Sequence, residues 1–139
     1  MPKNKINIKL SDFSFQHKTK TRWRDLDAFG HVNNATFLSY IEDARITFFK
    51  RWGINLKEKS LIVAAVKIDY IQQLKHPSKI IIGQKVTRLG LKSYDIQSAI
   101  FCEDKNNPVC ISTITSVCYD FVNKKTVPLY DEIKKDLNI

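Results

Sequence analysis

Glycine, proline and cysteine are all scarce in this chain of 139 residues, which has four, four and three of them. Glycine stands only at 30, 53, 83 and 90. Neither a G-x-G-x-x-G turn nor a P-loop can be built from those spacings, so the usual phosphate-cradling nucleotide loops are excluded. G-x-S-x-G is missing too, which argues against an α/β-hydrolase nucleophile elbow. Cys102, Cys110 and Cys118 form no C-x-x-C and have no clustered histidines beside them. Three thiols cannot all pair within one chain, so no metal site is expected and reduced cysteines in a cytoplasm are the simpler reading. No apolar run approaches 18 residues, so membrane insertion is not expected. Met1-Pro2-Lys3-Asn4-Lys5 is not followed by an apolar stretch, so a secretory signal is not expected either.

What is present is a globular composition. Hydrophobic residues make up 43% of the chain, enough for a core without staples, and 1–139 is expected to fold as a single domain. Lys and Arg number 23 against 14 Asp and Glu, a net charge of +9. The excess is uneven, because residues 1–24 hold seven Lys/Arg and one Asp. Such a surface suits a polyanion: nucleic acid, anionic lipid or a phosphate-bearing carrier such as coenzyme A. Nucleic acid is the weaker expectation, since only Phe13, Phe15 and Trp23 offer stacking rings in the basic segment.

Hydrophobic periodicity orders the chain. Residues 1–12 read as an extended leader and Phe15–Trp23 as a first strand. Residues 24–33 are rich in turn formers and read as a loop. From Asn34 the period changes: Phe37, Ile41, Ala44, Phe48 and Trp52 fall on one face of a helix. Asn33 or Asn34 suits its N-cap, and Gly53 can end it in the left-handed conformation. Strands follow at 61–73, 80–89, 91–103 and 109–122, with turns at His76-Pro77-Ser78, 104–108 and 123–126. Pro128 opens a short polar C-terminal helix. The order β-α-β-β-β-β predicts an α+β domain with an antiparallel meander and one helix of ~27 Å along it.

Chemistry concentrates in Arg24-Asp25-Leu26-Asp27-Ala28-Phe29-Gly30-His31-Val32-Asn33-Asn34, followed by Phe37, Tyr40, Glu42 and Arg45. Two carboxylates, a His and two Asn sit in a loop that feeds a helix N-terminus. That end carries unpaired N–H groups and partial positive charge, suited to an oxyanion. An ionised Asp beside it can serve as nucleophile or general base. The plainer alternative is that Asp25 and Asp27 cap turns, His31 packs and the Asn residues cap the helix. Glu42 and Arg45 read as a surface pair across one turn. Asp69 reads as part of a polar outer face, and His17 and His76 have no partner at a useful spacing.

The run Asp27-x-x-x-His31-Val32-Asn33-Asn34-x-x-Phe37-x-x-Tyr40-x-Glu42-x-Ala44-Arg45 resembles the active-site loop and helix of hotdog-fold acyl-thioesterases. It is similar above all to bacterial long-chain acyl-CoA and plant acyl-ACP thioesterases, within the wider 4-hydroxybenzoyl-CoA thioesterase group. The resemblance implies a hotdog fold, a five-stranded antiparallel sheet wrapped around one long central helix. It implies a cytoplasmic homodimer or homotetramer with active sites between subunits, acting on acyl-CoA or acyl-ACP in fatty acid metabolism with no cofactor. Matched by position, Asp27 is the catalytic carboxylate, His31 the active-site His, and Asn34 the residue whose backbone N–H meets the thioester oxygen. Phe29, Gly30, Asn33 and Phe37 are the expected substrate-binding residues. The chain departs from its relatives at Phe29, where the acyl-ACP group has Asn, and at Ser78-Lys79, where many have Gly-Asp. An acyl- or CoA-binding module without turnover is the rival expectation.

Overall fold

The computed structural model describes residues 7–54 and 59–137. The expected helix is α1, Asn34–Lys50. Asn33 is its N-cap: the backbone there is extended, and the side-chain oxygen accepts the Ala35 N–H at 2.9 Å. The stripe of Phe37, Ile41, Ala44, Phe48 and Trp52 is buried throughout. Gly53 has φ +65°, and its N–H reaches the Lys50 carbonyl at 3.2 Å. The chain thus leaves the helix through a left-handed residue, which glycine adopts without a Cβ clash.

Six antiparallel strands form the sheet: β1 Phe15–Lys20, β2 Ser60–Tyr70, β3 Lys79–Leu89, β4 Ser93–Cys102, β5 Pro108–Asp120 and β6 Lys125–Thr126. The β1-β3-β4-β5-β2 order makes only β3 to β5 a meander. The expectation of a simple meander from residue 61 onward is corrected here. β2 pairs with β5 at the far edge, so residues 71–78 are a crossover rather than a hairpin turn. The sixth strand falls within 123–126, where a turn is expected. It has two residues, pairing Tyr119 with Thr126 and Asp120 with Lys125, too short for any alternation to reveal it. The five principal strands and the helix they enclose have the expected hotdog arrangement.

Helix α1 packs on β3 and β1. One apolar cluster joins Phe37, Tyr40, Ile41 and Ala44 to Ile80, Ile82, Ile100 and Ile114. A second joins Phe48 and Trp52 to Tyr94, Ile96, Leu129 and Ile133, bringing in α2, Asp131–Asp136. Each such side chain contributes roughly 1.5–3 kcal/mol on burial. The outer face of the sheet has its own cover. The leader is not extended throughout: Leu10–Asp12 forms a 3-10 turn that lays buried Phe13 on Gly83, Ala99 and Phe101. A Cβ at Gly83 would stand 2.5 Å from the Phe13 ring, so glycine is needed for that approach. At the opposite edge β2 pairs only with β5 among the described residues, and its Val63 and Val66 are 38% and 43% exposed.

Candidate active site

The loop between β1 and α1 is a small closed hairpin. Leu26 bridges Val32, and the Asp27 N–H bonds to the His31 carbonyl at 2.7 Å. Gly30 at its tip has φ +79°, which the tight return requires. The loop is stitched to the crossover, with Val32 N–H on the Leu74 carbonyl at 2.8 Å and His31 bridging Lys75. These contacts set the Asp27 side chain. Its Oδ1 accepts the N–H groups of Phe29 at 2.8 Å and His31 at 3.2 Å. Oδ2 has no hydrogen-bond partner among the described residues. The turn-capping and chemical readings of Asp27 are therefore compatible, because one oxygen holds the loop and the other is free.

Below the loop lies a pocket of about 690 Å³. Asp27, Phe29, His31, Asn33, Asn34 and Phe37 all line it, together with Tyr70, Ile71, Gln72 and Gln73. Gly30 does not; it shapes the turn instead. Phe29 stands at the rim, 84% exposed. Neither ring nitrogen of His31 has a hydrogen-bond partner among the described residues. At the helix mouth the Ala35 N–H is taken by the Asn33 side chain and the Thr36 N–H by the Asn33 carbonyl. The Asn34 N–H has no acceptor among the described residues. Asn34, whose N–H at the positive end of the helix is thus without an acceptor among the described residues, lines the same pocket as Asp27.

Two tyrosines that sequence reasoning gave no role hold this geometry. Tyr70, on β2, donates to the Asn34 carbonyl at 2.9 Å and stacks edge-on against Phe37 with centroids 5.4 Å apart. Burial raises its phenol above the usual value, so it remains a neutral donor. Tyr40, on α1, donates to Asp25 Oδ2 at 2.5 Å. Asp25 is 3% exposed and also accepts the Arg22 N–H at 2.9 Å and the Arg22 guanidinium at 3.0 Å. Burial pushes the Asp25 carboxyl up, and the Tyr40 and Arg22 hydrogen bonds outweigh it, leaving the group below its ordinary value. Its carbonyl takes the Asn33 N–H at 2.9 Å, which locks the helix cap to the loop. The signal for Tyr40 is its spacing, three residues after Phe37 and four before Ala44, which puts it beside the buried stripe, where a phenol needs a partner.

Other expectations change. Glu42 and Arg45 do pair, at 2.8 Å, with Glu42 at the surface as expected, but Arg45 is 6% exposed and lies 5.0 Å from the Phe49 ring centre, so only one end of the pair is on the surface. His17 meets Asp43 at 3.0 Å, and His76 Nδ1 meets the Thr21 hydroxyl at 2.8 Å, partners too distant in sequence for spacing to show. Asp69 is exposed on the outer face of β2. The three thiols are free; burial raises all of them, Cys110 to about 12, which keeps them protonated. Among the described residues no group of three or more His, Cys, Asp or Glu can hold a metal, and no helix is long and apolar enough to cross a membrane.

A curled antiparallel sheet around one helix, with its polar loop at the helix mouth, defines the hotdog thioesterase class. The chain belongs to the Thioesterase-like superfamily, which matches residues 21–137. It is 27% identical over 127 residues to the long-chain acyl-CoA thioesterase FadM of Escherichia coli, a match covering 88% of this chain and 96% of that protein. It is 33% identical over 85 residues to the uncharacterized protein YsmA of Bacillus subtilis, spanning 60% of this chain but only 58% of YsmA. Among solved structures it resembles a Thermus thermophilus thioesterase complexed with coenzyme A and zinc, at 27% identity and TM-score 0.76, covering 91% of this chain and 99% of that one.

Proposed function

We propose that this protein hydrolyses acyl-CoA thioesters in the cytoplasm, with Asp27 as the catalytic carboxylate and the Asn34 N–H as oxyanion donor. The observation that carries the reading is that Asp27 and Asn34, which have a carboxylate oxygen and a backbone N–H without partners among the described residues, line one pocket beside a helix mouth. FadM's activity and the coenzyme A bound by the Thermus protein favour CoA as the thiol carrier over an acyl carrier protein. Thiolate is a good leaving group, its conjugate acid having pKa ~8.5. One carboxylate and one oxyanion donor suffice for such an ester, and no Ser-His-Asp set is needed.

In the reaction, Asp27 Oδ2 takes a proton from water while the water oxygen bonds to the acyl carbon, or Oδ2 itself forms that bond. The carbonyl electron pair moves onto oxygen, where the Asn34 N–H receives it. The pair returns, the C–S bond breaks, and the thiolate leaves and is protonated by solvent; on the water route Asp27 then returns its proton to solvent, which restores the carboxylate. Direct attack leaves an anhydride on Asp27 that water then splits. His31, lining the same pocket, orients the thioester. Phe29, Asn33 and Phe37 contact the substrate, and Gly30 shapes the loop around it. Water is the second substrate, and no cofactor takes part.

The edge position of β2 bears on assembly. An exposed strand edge with apolar side chains is a ready template for pairing with another chain. A homodimer through this edge places the pocket, which β2 helps to line through Tyr70, beside the second subunit.

The test is a panel of acyl-CoA chain lengths with a free-thiol reagent, run on wild type and Asp27→Ala beside a CoA titration. Turnover by wild type, lost in Asp27→Ala with CoA binding retained, is the expected result. Full hydrolysis by Asp27→Ala refutes the assignment. CoA binding by wild type without hydrolysis of any chain length leaves a binding module instead. That rival draws on the role of Asp27 Oδ1 as a turn cap.

A further inference from the structure

Two turns meet at the end of the sheet remote from the Asp27 loop. One joins β3 to β4 and the other joins β5 to β6. In the first, the Gly90 N–H bonds to the Ser93 carbonyl at 2.7 Å, which leaves Leu91 and Lys92 as the two tip residues. Leu91 is 91% exposed. In the second, Val122 is 80% and Phe121 52% exposed, and Phe121 meets the Tyr119 ring edge-on with centroids 4.8 Å apart. Lys92 Nζ lies 3.3 Å from the Thr126 hydroxyl, so the two turns stand side by side. Leu91, Phe121 and Val122 belong to none of the apolar clusters of the core. Three large apolar side chains thus project into solvent from adjoining turns.

Cations flank them. Lys92, Lys124 and Lys125 take part in no ion pair among the described residues. The acidic groups of this end are engaged. Asp120 closes its own turn: Oδ1 accepts the Val122 N–H at 2.8 Å and the Asn123 N–H at 3.2 Å, and Oδ2 accepts the Asn123 amide at 2.7 Å. Lys125 stands opposite Asp120 in the β5–β6 register, which leaves Lys92 and Lys124 in excess. Asp95 pairs with Arg88 at 2.8 Å and Glu132 with Lys59 at 2.7 Å.

The backbone of the tips is tied to the body of the protein. The Leu91 carbonyl accepts the Leu129 N–H and the Lys92 carbonyl the Cys118 N–H, both at 2.9 Å. Backbone groups without partners are what keep irregular segments out of an apolar medium. Here the side chains can leave water without uncovering those carbonyls. A second copy is a poor occupant, because a two-fold contact sets the lysines against their own counterparts. The tips also hold far fewer than the ~20 residues a side of a stable protein interface. An anionic lipid surface meets both features, with phosphates for the lysines and an apolar boundary beneath them.

We propose that the β3–β4 and β5–β6 turns are a docking surface for anionic lipid bilayers. Leu91, Phe121 and Val122 enter the boundary between headgroups and acyl chains, and Lys92, Lys124 and Lys125 meet the lipid phosphates. Docking is peripheral, since only turn side chains pass the headgroups. It lies apart from the Asp27 pocket and does not depend on turnover there.

The experiment is sedimentation with vesicles of phosphatidylcholine alone, or of equal parts phosphatidylcholine and phosphatidylglycerol. Four proteins are compared: wild type; Lys92→Ala, Lys124→Ala, Lys125→Ala; Leu91→Ser, Val122→Ser; and a control, Lys18→Ala, Lys20→Ala, Lys79→Ala. The control removes three exposed lysines from the other end of the sheet, so its net charge equals that of the first variant. Wild type is expected to bind the mixed vesicles and to bind phosphatidylcholine far more weakly. Each lysine near an anionic surface is worth about fivefold, so the tip lysine variant loses on the order of a hundredfold. Leu91→Ser, Val122→Ser loses at least ~tenfold, because two apolar side chains no longer leave water. The control loses much less than the tip lysine variant, and thermal melts near wild type exclude misfolding. Failure of wild type to sediment with the mixed vesicles overturns the proposal. Equal losses in the two lysine variants overturn it in favour of diffuse charge. Undiminished binding by Leu91→Ser, Val122→Ser overturns the insertion of apolar side chains. Displacement from the vesicles by free CoA at constant ionic strength overturns it and assigns the lysines to a soluble phosphate ligand. Self-association that is lost in Leu91→Ser, Val122→Ser also overturns it, and assigns the tips to a second copy.

Discussion

Replacing Asn34 with proline isolates one hydrogen from the rest of the site. Asn34 is the first residue of α1, and its N–H bonds to nothing among the described residues. Proline is well tolerated there, since the missing N–H is one the helix does not use. The preceding residue must then avoid the helical region, and Asn33 already sits at φ −60°, ψ 137°. The fold therefore loses no intrahelical bond, and stability is expected to move by less than about 1 kcal/mol. The oxyanion donor, by contrast, is gone. Loss of a single donor of this kind costs ~10²–10³ in kcat, or about 2.7–4 kcal/mol of transition-state stabilisation. Asn34→Ala is the companion variant, because it keeps the N–H and removes only the side chain. Steady-state hydrolysis of an acyl-CoA, with thermal melts of all three proteins, separates the outcomes. The expected pattern is a melt near wild type for both variants, kcat near wild type for Asn34→Ala, and a fall of ~10²–10³ for Asn34→Pro. A fully folded Asn34→Pro protein with wild-type kcat would refute the oxyanion assignment.

Two further perturbations probe the scaffold. Tyr40→Phe removes a buried hydrogen bond to an ionised carboxylate, and a loss of roughly 1.5–3 kcal/mol is expected at pH 7 by denaturant unfolding. Because Asp25 is held below its ordinary value of 3.8, this stabilisation is full above that value and fades as pH falls through the lower folded value. A difference from wild type that persists undiminished after the carboxyl is protonated would contradict the Tyr40–Asp25 link. Gly83→Ala forces a methyl group against the Phe13 ring, and an overpacking cost of ~1–3 kcal/mol is expected in the same assay. A variant as stable as wild type would show that the N-terminal cover does not bear on the sheet.

Much of this molecule is readable from local pattern. Helix α1 declares itself through three agreeing signals: Asn33 before it, a stripe from Phe37 to Trp52, and Gly53 after it. The loop residues Asp27, His31 and Asn34 converge on one pocket because they are close in sequence and a tight turn joins them. What escapes is long-range. Nothing in the alternation of β2 says that it pairs with β5 rather than β3, because strand order depends on where the 71–78 crossover lands. Likewise Asp25 looked like a turn cap, which it is, through the Arg22 N–H. Its second role depends on Tyr40, 15 residues away, and appears only when helix and loop are brought together. Arg45 pairs with Glu42 as the spacing implied, yet its burial comes from tertiary packing that no local spacing encodes.

The most direct test of the catalytic assignment is the turnover of Asp27→Asn. Asparagine keeps a side-chain oxygen for the Phe29 and His31 N–H groups, so the loop retains its shape while the charge is lost. An amide is neither the base nor the nucleophile the reaction needs, and kcat for acyl-CoA hydrolysis is expected to fall by at least ~10², with CoA affinity unchanged. Hydrolysis at the wild-type rate by a folded Asp27→Asn protein would contradict it.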